Sequence, residues 1–430
     1  MENSNNISRR SFLQKSLVGT AGLLSLPLLS GFKYSPNDTI RLGFIGLGRQ
    51  AMFLMNEFRA IDGVKIVAGA DVYGIKRKRF EHRMRKYYYE QGMNSDITTY
   101  ENYKDLLERK DIDAVVNATP DHWHALTTID ACNAGKDVYL EKPLTFTIKE
   151  GEKVIHAVRR NGRILAVGSQ QRSDSNFRHA VKTVRKGNIG QLQKIDINIG
   201  DFPKPYNLPI EPVPGDLNWE LWLGPNPYVH YNHELAPPIS LNPPEDESLW
   251  GAWRWYKETG GGHITDWGAH HFDIGQWAIG KGGPVKTIPP GYNGTEYLTY
   301  VYDNGVEMIK SGKGKGVRFQ GPDGWIEVAR GFIDASDRAL LPSNKKEKEG
   351  DQPYEMSLSH RENFIYAVRN RKDPVVPVET GHRTCTTCLL GLISYELGRP
   401  VEWDPDKQYF VNDTEAEKYY HREYRHGYRL

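Results

Sequence analysis

The sequence predicts an α/β protein: an N-terminal doubly wound parallel sheet, then a C-terminal α+β domain with a large, open, mostly antiparallel sheet. Three observations carry this. Short apolar runs alternate with helix-length segments as far as residue 168. A glycine turn, Gly46-Leu47-Gly48, joins the first run to the first helix. Beyond it, strand-like runs are joined by long loops rich in Pro and Trp.

Residues 39–48 read as a buried apolar strand entering the glycine turn, and 51–60 as the helix after it. A second strand spans 64–70 and ends at Asp71. A short helix at 103–109, a strand at 114–118, a helix at 121–134, a strand at 138–140, a helix at 148–161 and a strand at 164–167 follow. This alternation implies parallel strands with right-handed crossovers. Later come strand-like runs at 194–200, 296–303, 306–311 and 324–329, and helices at 356–370 and 380–397. Tyr297-Leu298-Thr299-Tyr300-Val301-Tyr302 is apolar or aromatic at nearly every position. That predicts burial on both faces and a homo-oligomer formed through the outer face of this sheet. The expected divisions are a signal and linker at 1–37, a dinucleotide-binding domain at 38–168, a substrate and oligomerisation domain at 169–405, and a tail at 406–430. The tail, rich in Tyr, Arg and His, is expected to dock on its own or a neighbouring subunit.

A chain of 430 residues suits two or three domains. Its net charge of +2, from 56 basic and 54 acidic residues, argues against a nucleic-acid partner. The charged tracts Lys76-Arg77-Lys78-Arg79 and Lys345-Lys346-Glu347-Lys348-Glu349 are expected to be solvated. Three cysteines, Cys132, Cys385 and Cys388, are too few for a disulfide framework. Cys385 and Cys388 have C-x-x-C spacing but no second ligand pair, so they are expected to pack in a core, and no metal is expected.

Ser8-Arg9-Arg10-Ser11-Phe12-Leu13-Gln14-Lys15 precedes an uncharged stretch at 16–32. Paired arginines before a short apolar segment match a twin-arginine export signal. Gly19, Gly22, Pro27 and Gly31 make that stretch a poor permanent membrane span. The route carries folded proteins, so the expectation is a periplasmic protein, a partner of the twin-arginine export machinery, with its cofactor loaded before export and held tightly.

Gly46-Leu47-Gly48-Arg49-Gln50-Ala51 fits G-x-G-x-x-A between a strand and a helix. Gly46 permits the tight turn, Gly48 lets a pyrophosphate approach the backbone beside Arg49 and Gln50, and Ala51 lets helix and strand pack. Asp71, 25 residues after Gly46, is placed to bond ribose hydroxyls and repel a 2′-phosphate, which favours NAD. Arg77 and Lys78 nearby keep NADP as an alternative. Thr119-Pro120-Asp121-His122-Trp123-His124 ends the next strand.

Lys142 follows a strand at the carboxyl edge of the sheet, where ligands of such folds bind, and Pro143 fixes the local turn. Asp266 and His270 are four residues apart and share one face of a helix. Gly260-Gly261-Gly262 before them allows close backbone approach. Alcohol oxidation needs a base, and histidine, with an ordinary pKa near ~6.5, serves. His271 faces about 100° away on the same helix. Gln170-Gln171-Arg172 follows a strand and is within reach of the site. Trp219, Trp222, Trp250, Trp253, Trp255 and Tyr256 supply aromatic faces that either stack on sugar rings or pack among themselves.

Taken in order, the glycine turn, Glu141-Lys142-Pro143 and Asp266-Trp267-Gly268-Ala269-His270 resemble the Gfo/Idh/MocA oxidoreductase family over residues 38–405. Its members, glucose–fructose oxidoreductase and inositol dehydrogenase among them, act mostly on sugars and cyclitols. The resemblance implies that Lys142 bonds the substrate hydroxyl, Glu141 contacts the cofactor ribose, and His270 in the D-x-G-x-H register is the base. Asp266 then binds a neighbouring hydroxyl or supports the lysine. The family's Thr-Pro-Asn-x-x-His implies that Thr119, Pro120 and His124 line the nicotinamide ribose; Asp121 stands here for the Asn. Gln170, Arg172, Trp253 and His271 are the candidate substrate contacts. The resemblance also implies dimers or tetramers through the second sheet. The expected activity is NAD(P)-dependent hydride transfer to or from a secondary hydroxyl of a sugar or glycoside. An NAD-dependent glycoside hydrolase acting through transient oxidation is the first alternative, although the His-Gly-x-Gly of its N-acetylgalactosaminidase-like branch is missing near residue 270. A non-catalytic sugar or nucleotide sensor is the second.

Overall fold

A computed structural model describes residues 39–94, 96–242, 250–342 and 358–430. The twin-arginine signal and the Lys345–Glu349 tract lie outside the described residues.

The first sheet holds β1 (Ile40–Ile45), β2 (Val64–Ala70), β3 (Thr98–Tyr100), β4 (Ala114–Asn117), β5 (Asp137–Leu140) and β6 (Leu165–Val167). All pair in parallel, in the order β3-β2-β1-β4-β5-β6. Such strands read as unbroken apolar runs because both faces are covered. Helices α1 (Arg49–Phe58) and α2 (Gly74–Glu90) cover one face, where Phe44, Phe58, Phe80 and Tyr139 meet. Helices α3 (Tyr103–Leu107), α4 (His124–Asn133) and α5 (Ile148–Arg160) cover the other, through Leu106, Ala131 and Val154. A capping box starts α5: the Thr147 hydroxyl accepts from the Glu150 N–H and the Glu150 carboxylate accepts from the Thr147 N–H. Strand order reverses between β1 and β4, and that reversal opens a crevice above their carboxyl ends.

Helix α2 is the clearest departure from the sequence reading. Its basic, tyrosine-rich stretch has weak helical patterning, yet Phe80, Met84 and Tyr88 recur every four residues and bury one stripe. Arg79 is buried with them, whereas Lys78 is exposed and Lys76 and Arg77 are half-buried, so the Lys76–Arg79 tract is only partly solvated.

The second half begins with α6 (Ser175–Arg185), which is capped by the Asp174 carboxylate. Its strands are β7 (Lys194–Ile197), β8 (Lys286–Ile288), β9 (Thr299–Val301), β10 (Glu307–Ile309), β11 (Val317–Gly321), β12 (Gly324–Ala329), β13 (Phe332–Ala335), β14 (Val401–Asp404) and β15 (Tyr409–Phe410). Their order is β13-β12-β11-β7-β10-β9-β8-β14-β15; only β7 and β10 pair in parallel. Helices α7 (Trp219–Leu223), α8 (Gly262–Asp266), α9 (Gly268–Ile279), α10 (His360–Asn370) and α11 (Val378–Leu397) complete the molecule. One sheet face packs on α6 and α9 through Ile195, Phe272, Tyr300 and Phe319. The other carries Lys194 paired with Asp196 and Arg318 with Glu327. In the aromatic run Leu298, Thr299, Tyr300 and Tyr302 are buried and Tyr297 and Val301 are half-buried, so the second face is only partly covered within the chain.

The chain then returns to the first sheet. Phe364 and Val368 of α10 join the core beside Phe58 and Tyr139. Cys385, Leu389 and Ile393 of α11 join the opposite core. Cys385 and Cys388 are buried packing residues, and the Cys385 thiol donates to the Thr145 carbonyl at 3.1 Å. The tail docks on its own chain: the Tyr420 hydroxyl donates to Glu152, the Tyr424 hydroxyl donates to Glu150 at 2.5 Å, and Arg422 donates to Asn226. Among the described residues, no helix is long and apolar enough to cross a membrane.

Candidate functional site

The crevice above β1 and β4 is shaped by two glycines with different duties. Gly46 has φ +80°, and a Cβ there would lie 2.7 Å from the Thr119 nitrogen, so only glycine fits. A Cβ on Gly48 would meet nothing within 4 Å, because that residue faces the open cleft. Gly48 also caps α1 without any side-chain acceptor, which leaves the helix's first N–H groups to an anion. Arg49 lines the cleft at the same end, its guanidinium 4.9 Å from the Phe53 ring. Asp71 closes the turn: Oδ2 accepts from the Leu47 N–H at 2.7 Å and Oδ1 from the Tyr73 N–H at 2.9 Å. Asp71 still lines the cleft, together with Gln50, Thr119 and Pro120. These residues fit a dinucleotide: a glycine turn open where phosphates pass, an uncapped helix end and a carboxylate at ribose distance in the chain.

The cleft holds about 1230 Å3 of open space. Its opposite wall comes from residues 221–239, residues 250–254 and the C-terminal tail, including Trp250, Trp253, Arg254 and Tyr428. The wall is pinned to the first sheet where the Trp123 Nε1–H donates to the Leu221 and Trp222 carbonyls, both at 3.0 Å. Trp219 and Trp222 stack on each other at 4.5 Å, so they pack rather than offer sugar-binding faces. Tyr428 meets Trp123 edge-on at 5.5 Å, and Arg425 binds Glu220 at 2.8 Å and the Gly224 carbonyl at 2.9 Å.

Beside this cleft, the turn after β5 meets the end of α8. Lys142 Nζ donates to Asp266 Oδ1 at 2.5 Å and to the Asp266 carbonyl at 2.8 Å. Burial pushes the Asp266 carboxyl up, but the charges of Lys142 and Arg254 outweigh it and hold the group below its usual range. Glu141 Oε1 accepts from Gln50 at 2.8 Å and from Gln170 at 3.0 Å, and burial raises its carboxyl despite the neighbouring lysine. His270 is buried, and its Nδ1 has no hydrogen-bond partner among the described residues. Burial, then the charges of Lys142 and Arg330, hold this imidazole well below 6.5. It is therefore neutral at pH 7 and able to accept a proton. The helix expected to carry Asp266 and His270 together is interrupted: α8 ends at Asp266, and the His270 and His271 N–H groups both turn back to the Trp267 carbonyl at 3.0 Å.

Four candidates are committed elsewhere. The His124 ring nitrogens lie 2.7 Å from the Pro143 carbonyl and 3.0 Å from the Thr119 carbonyl. That side chain staples two turns together rather than facing a ribose. Gln170 supports Glu141 instead of reaching a substrate. Arg172 clamps the buried Asp273 through two bonds of 2.7 and 2.8 Å, and a buried bidentate pair leaves that arginine spent. His271 Nδ1 lies 2.9 Å from the Asn198 carbonyl and ties α9 to the end of β7, the outcome of its turn away from His270. Trp253 lines the nucleotide cleft.

Two residues were missed. Arg254 lies with Nε 3.6 Å from Asp266 Oδ1. Its signal was a cation inside the run Trp253-Arg254-Trp255, where only the rings were weighed. Asp121 is buried, and burial pushes its carboxyl up to about 7 against the opposing charges of Arg254 and Lys142. The departure from asparagine at that position was its signal.

Residues 40–169 match the family model described as oxidoreductase family, NAD-binding Rossmann fold. Residues 201–430 match the model described as oxidoreductase family, C-terminal alpha/beta domain. A glycosyl hydrolase family 109 protein of Shewanella baltica is 26% identical over 208 residues, 44% of this chain and 44% of that protein. The uncharacterized oxidoreductase YrbE of Bacillus subtilis is 31% identical over 175 residues, 41% of this chain and 48% of that protein. The chain thus spans less than half the length of these curated relatives. Aldose-aldose oxidoreductase from Caulobacter crescentus, solved with glycerol, superposes with a TM-score of 0.58 at 18% identity, over 85% of this chain and 99% of that one. Scyllo-inositol dehydrogenase from Lactobacillus casei, solved with NAD(H) and scyllo-inositol, superposes with a TM-score of 0.54 at 18% identity, over 85% and 99%. These two share the fold.

Gly48→Ala separates binding from folding. The added methyl meets no protein atom but stands where phosphates would pass. NAD affinity, followed by tryptophan fluorescence, should fall at least about tenfold with an unchanged melting temperature. Unchanged affinity would mean that the phosphates bind elsewhere.

Proposed function

The chain belongs to the Gfo/Idh/MocA oxidoreductase family, and on that premise we propose that it transfers a hydride between NAD and a secondary hydroxyl of a sugar or glycoside. One observation carries the reading: a Lys142–Asp266 pair at 2.5 Å beside a buried, neutral His270, at the carboxyl edge of an NAD-binding sheet. Nicotinamide, when bound, takes or returns the hydride. Lys142 donates a hydrogen bond to the substrate oxygen and stabilises the charge that develops there. Asp266 holds the ammonium group in place. His270 takes the hydroxyl proton, so the carbinol carbon loses a hydride and the oxygen a proton, leaving a ketone. Glu141, held by Gln50 and Gln170, presents its carboxyl toward the cofactor ribose. Asp71 at the far end of the cleft favours NAD over NADP by charge.

Lys142→Ala and His270→Ala should each lower kcat/KM by roughly 10²-fold or more. The imidazole pKa is depressed, so its base form persists below pH 6.5 and kcat/KM should stay flat through that value. Wild-type rates in both variants would reject these residue roles, whereas no turnover in the wild-type protein would leave a non-catalytic sensor as the better reading. The family 109 relatives favour a second enzymatic reading, glycoside cleavage through transient oxidation. In that case NADH does not accumulate, whereas a dehydrogenase produces it in step with ketone.

We further infer export through the twin-arginine route to the periplasm with the nucleotide already bound. The Arg9-Arg10 signal supports this, as does a cleft walled by residues 221–239, residues 250–254 and Tyr428, which suits tight retention. Exported protein should carry NAD by native mass spectrometry, and Arg9→Lys with Arg10→Lys should strand the precursor in the cytoplasm. Normal export of the double variant would overturn the route.

A homodimer or homotetramer through the outer face of the second sheet is the assembly we infer. Half-buried Tyr297 and Val301 lie in that sheet among paired charges that a second copy can cover. Light scattering at micromolar concentration should give a multiple of 49.1 kDa. A mass near that of one chain would reject it.

A further inference from the structure

We infer that Arg254 is a positioning residue, which holds the Asp266 carboxylate for Lys142 and ties that pair to the wall of the nucleotide cleft. The inference rests on the roles given above to Lys142, Asp266 and His270.

Arg254 is the group that belongs to both places. It lines the cleft, and its Nε lies 3.6 Å from Asp266 Oδ1, the oxygen that Lys142 holds at 2.5 Å. Its guanidinium lies 4.2 Å from the Trp253 ring and 5.1 Å from the Trp250 ring, and both rings line the cleft. A flat, permanently charged guanidinium can stack on rings while directing an N–H edgewise at a carboxylate. A carboxylate has room for two cations at once, so Arg254 reinforces Lys142 rather than displacing it.

The backbone makes the same connection. Asp266 ends a five-residue helix that begins after Gly260 and Gly261, a stretch with little stiffness of its own. What holds it is the turn that carries Arg254. A Cβ on Gly260 would lie 2.6 Å from the Arg254 carbonyl oxygen and 2.7 Å from its Cα. The Thr259 hydroxyl donates to the Trp253 carbonyl at 2.6 Å. The turn and the glycine segment are thus packed backbone to backbone, and the arginine side chain crosses from one to the acid at the end of the other. Movement of the cleft wall therefore reaches Asp266 through one side chain, and Lys142 through Asp266.

The charged and titratable groups facing Asp266 are Lys142, Arg254, His263, Arg330 and Asp121. Removing one cation from this set makes the carboxylate easier to protonate. The acid limb of the pH profile then moves to higher pH, an effect that wall packing alone does not produce.

Arg254→Met keeps the contact with the tryptophans and loses the charge; Arg254→Lys keeps the charge and loses the flat stack. The positioning role predicts that Arg254→Met loses at least about tenfold in kcat, with the NAD dissociation constant within about threefold, and that its acid limb rises. Arg254→Lys recovers most of kcat. Cooperative melting checks that both variants fold, and Arg254→Gln replaces Arg254→Met if that one does not. Normal kcat in the uncharged variant overturns the inference, as does equal impairment of both variants with an unmoved acid limb. Wild-type protein is assayed first: no turnover of any sugar with NAD would overturn the hydride-transfer reading, an outcome distinct from normal turnover in Arg254→Met.

Discussion

The contact on which the rest depends is the ion pair between Lys142 and Asp266, two residues 124 positions apart. It joins the carboxyl edge of the parallel sheet to α8, a short helix of the second half. Burying a charged pair is costly unless both partners keep good geometry and further hydrogen bonds. Those are present: Lys142 also donates to the Asp266 main-chain carbonyl, and Arg254 adds a second cation to the carboxylate. Losing Asp266 would leave Lys142 and Arg254 uncompensated beside each other, and removing one member of comparable buried pairs costs about 3–5 kcal/mol. Burial keeps His270 neutral, and the cation of this pair opposes its protonation further.

Around this pair the molecule is closed by segments from distant parts of the chain. Trp219, Trp222, Tyr231, Trp253 and Tyr256 are buried in an aromatic cluster that Tyr73 of the first domain joins. The tail crosses from α5 to this cluster, and Tyr428 reaches the cleft. Arg422 lies 3.8 Å from the Phe146 ring and donates to the Glu258 carbonyl at 3.3 Å. Directed hydrogen bonds and cation–π contacts hold residues 420–428, which suits a strap laid over the cleft.

Legibility in the sequence followed the strength of local patterning. Strand 64–70 was read to the residue because an apolar run interrupted only by Lys65 and bounded by Gly63 and Asp71 leaves little choice. Helix α2 was missed because lysines, arginines and tyrosines dilute its buried stripe. Strands β8, β14 and β15 were missed because they are two to four residues long: β8 and β14 pair with each other across more than 100 residues, and β15 exists only by adding to β14. At the site, Gly46, Gly48, Asp71, Lys142 and Asp266 stood out because each does a job that few residue types can do. Arg172, His271 and His124 did not sort so well: an arginine or histidine near a site can equally be spent on a buried acid or a carbonyl, and sequence does not show which.

By itself, the sequence determined the doubly wound sheet, the NAD-binding turn and the family to which the chain belongs. These rest on local requirements: a periodicity, a glycine where no Cβ fits, a carboxylate at the end of a strand. Only the tertiary structure decided which polar groups are free and which are committed. It returned α10 and α11 to the first core, bound His271 to Asn198, and brought Arg254 to Asp266. The physical reason is that partner choice and burial depend on chain segments 12 to more than 200 residues apart, and no local pattern encodes which of them will meet.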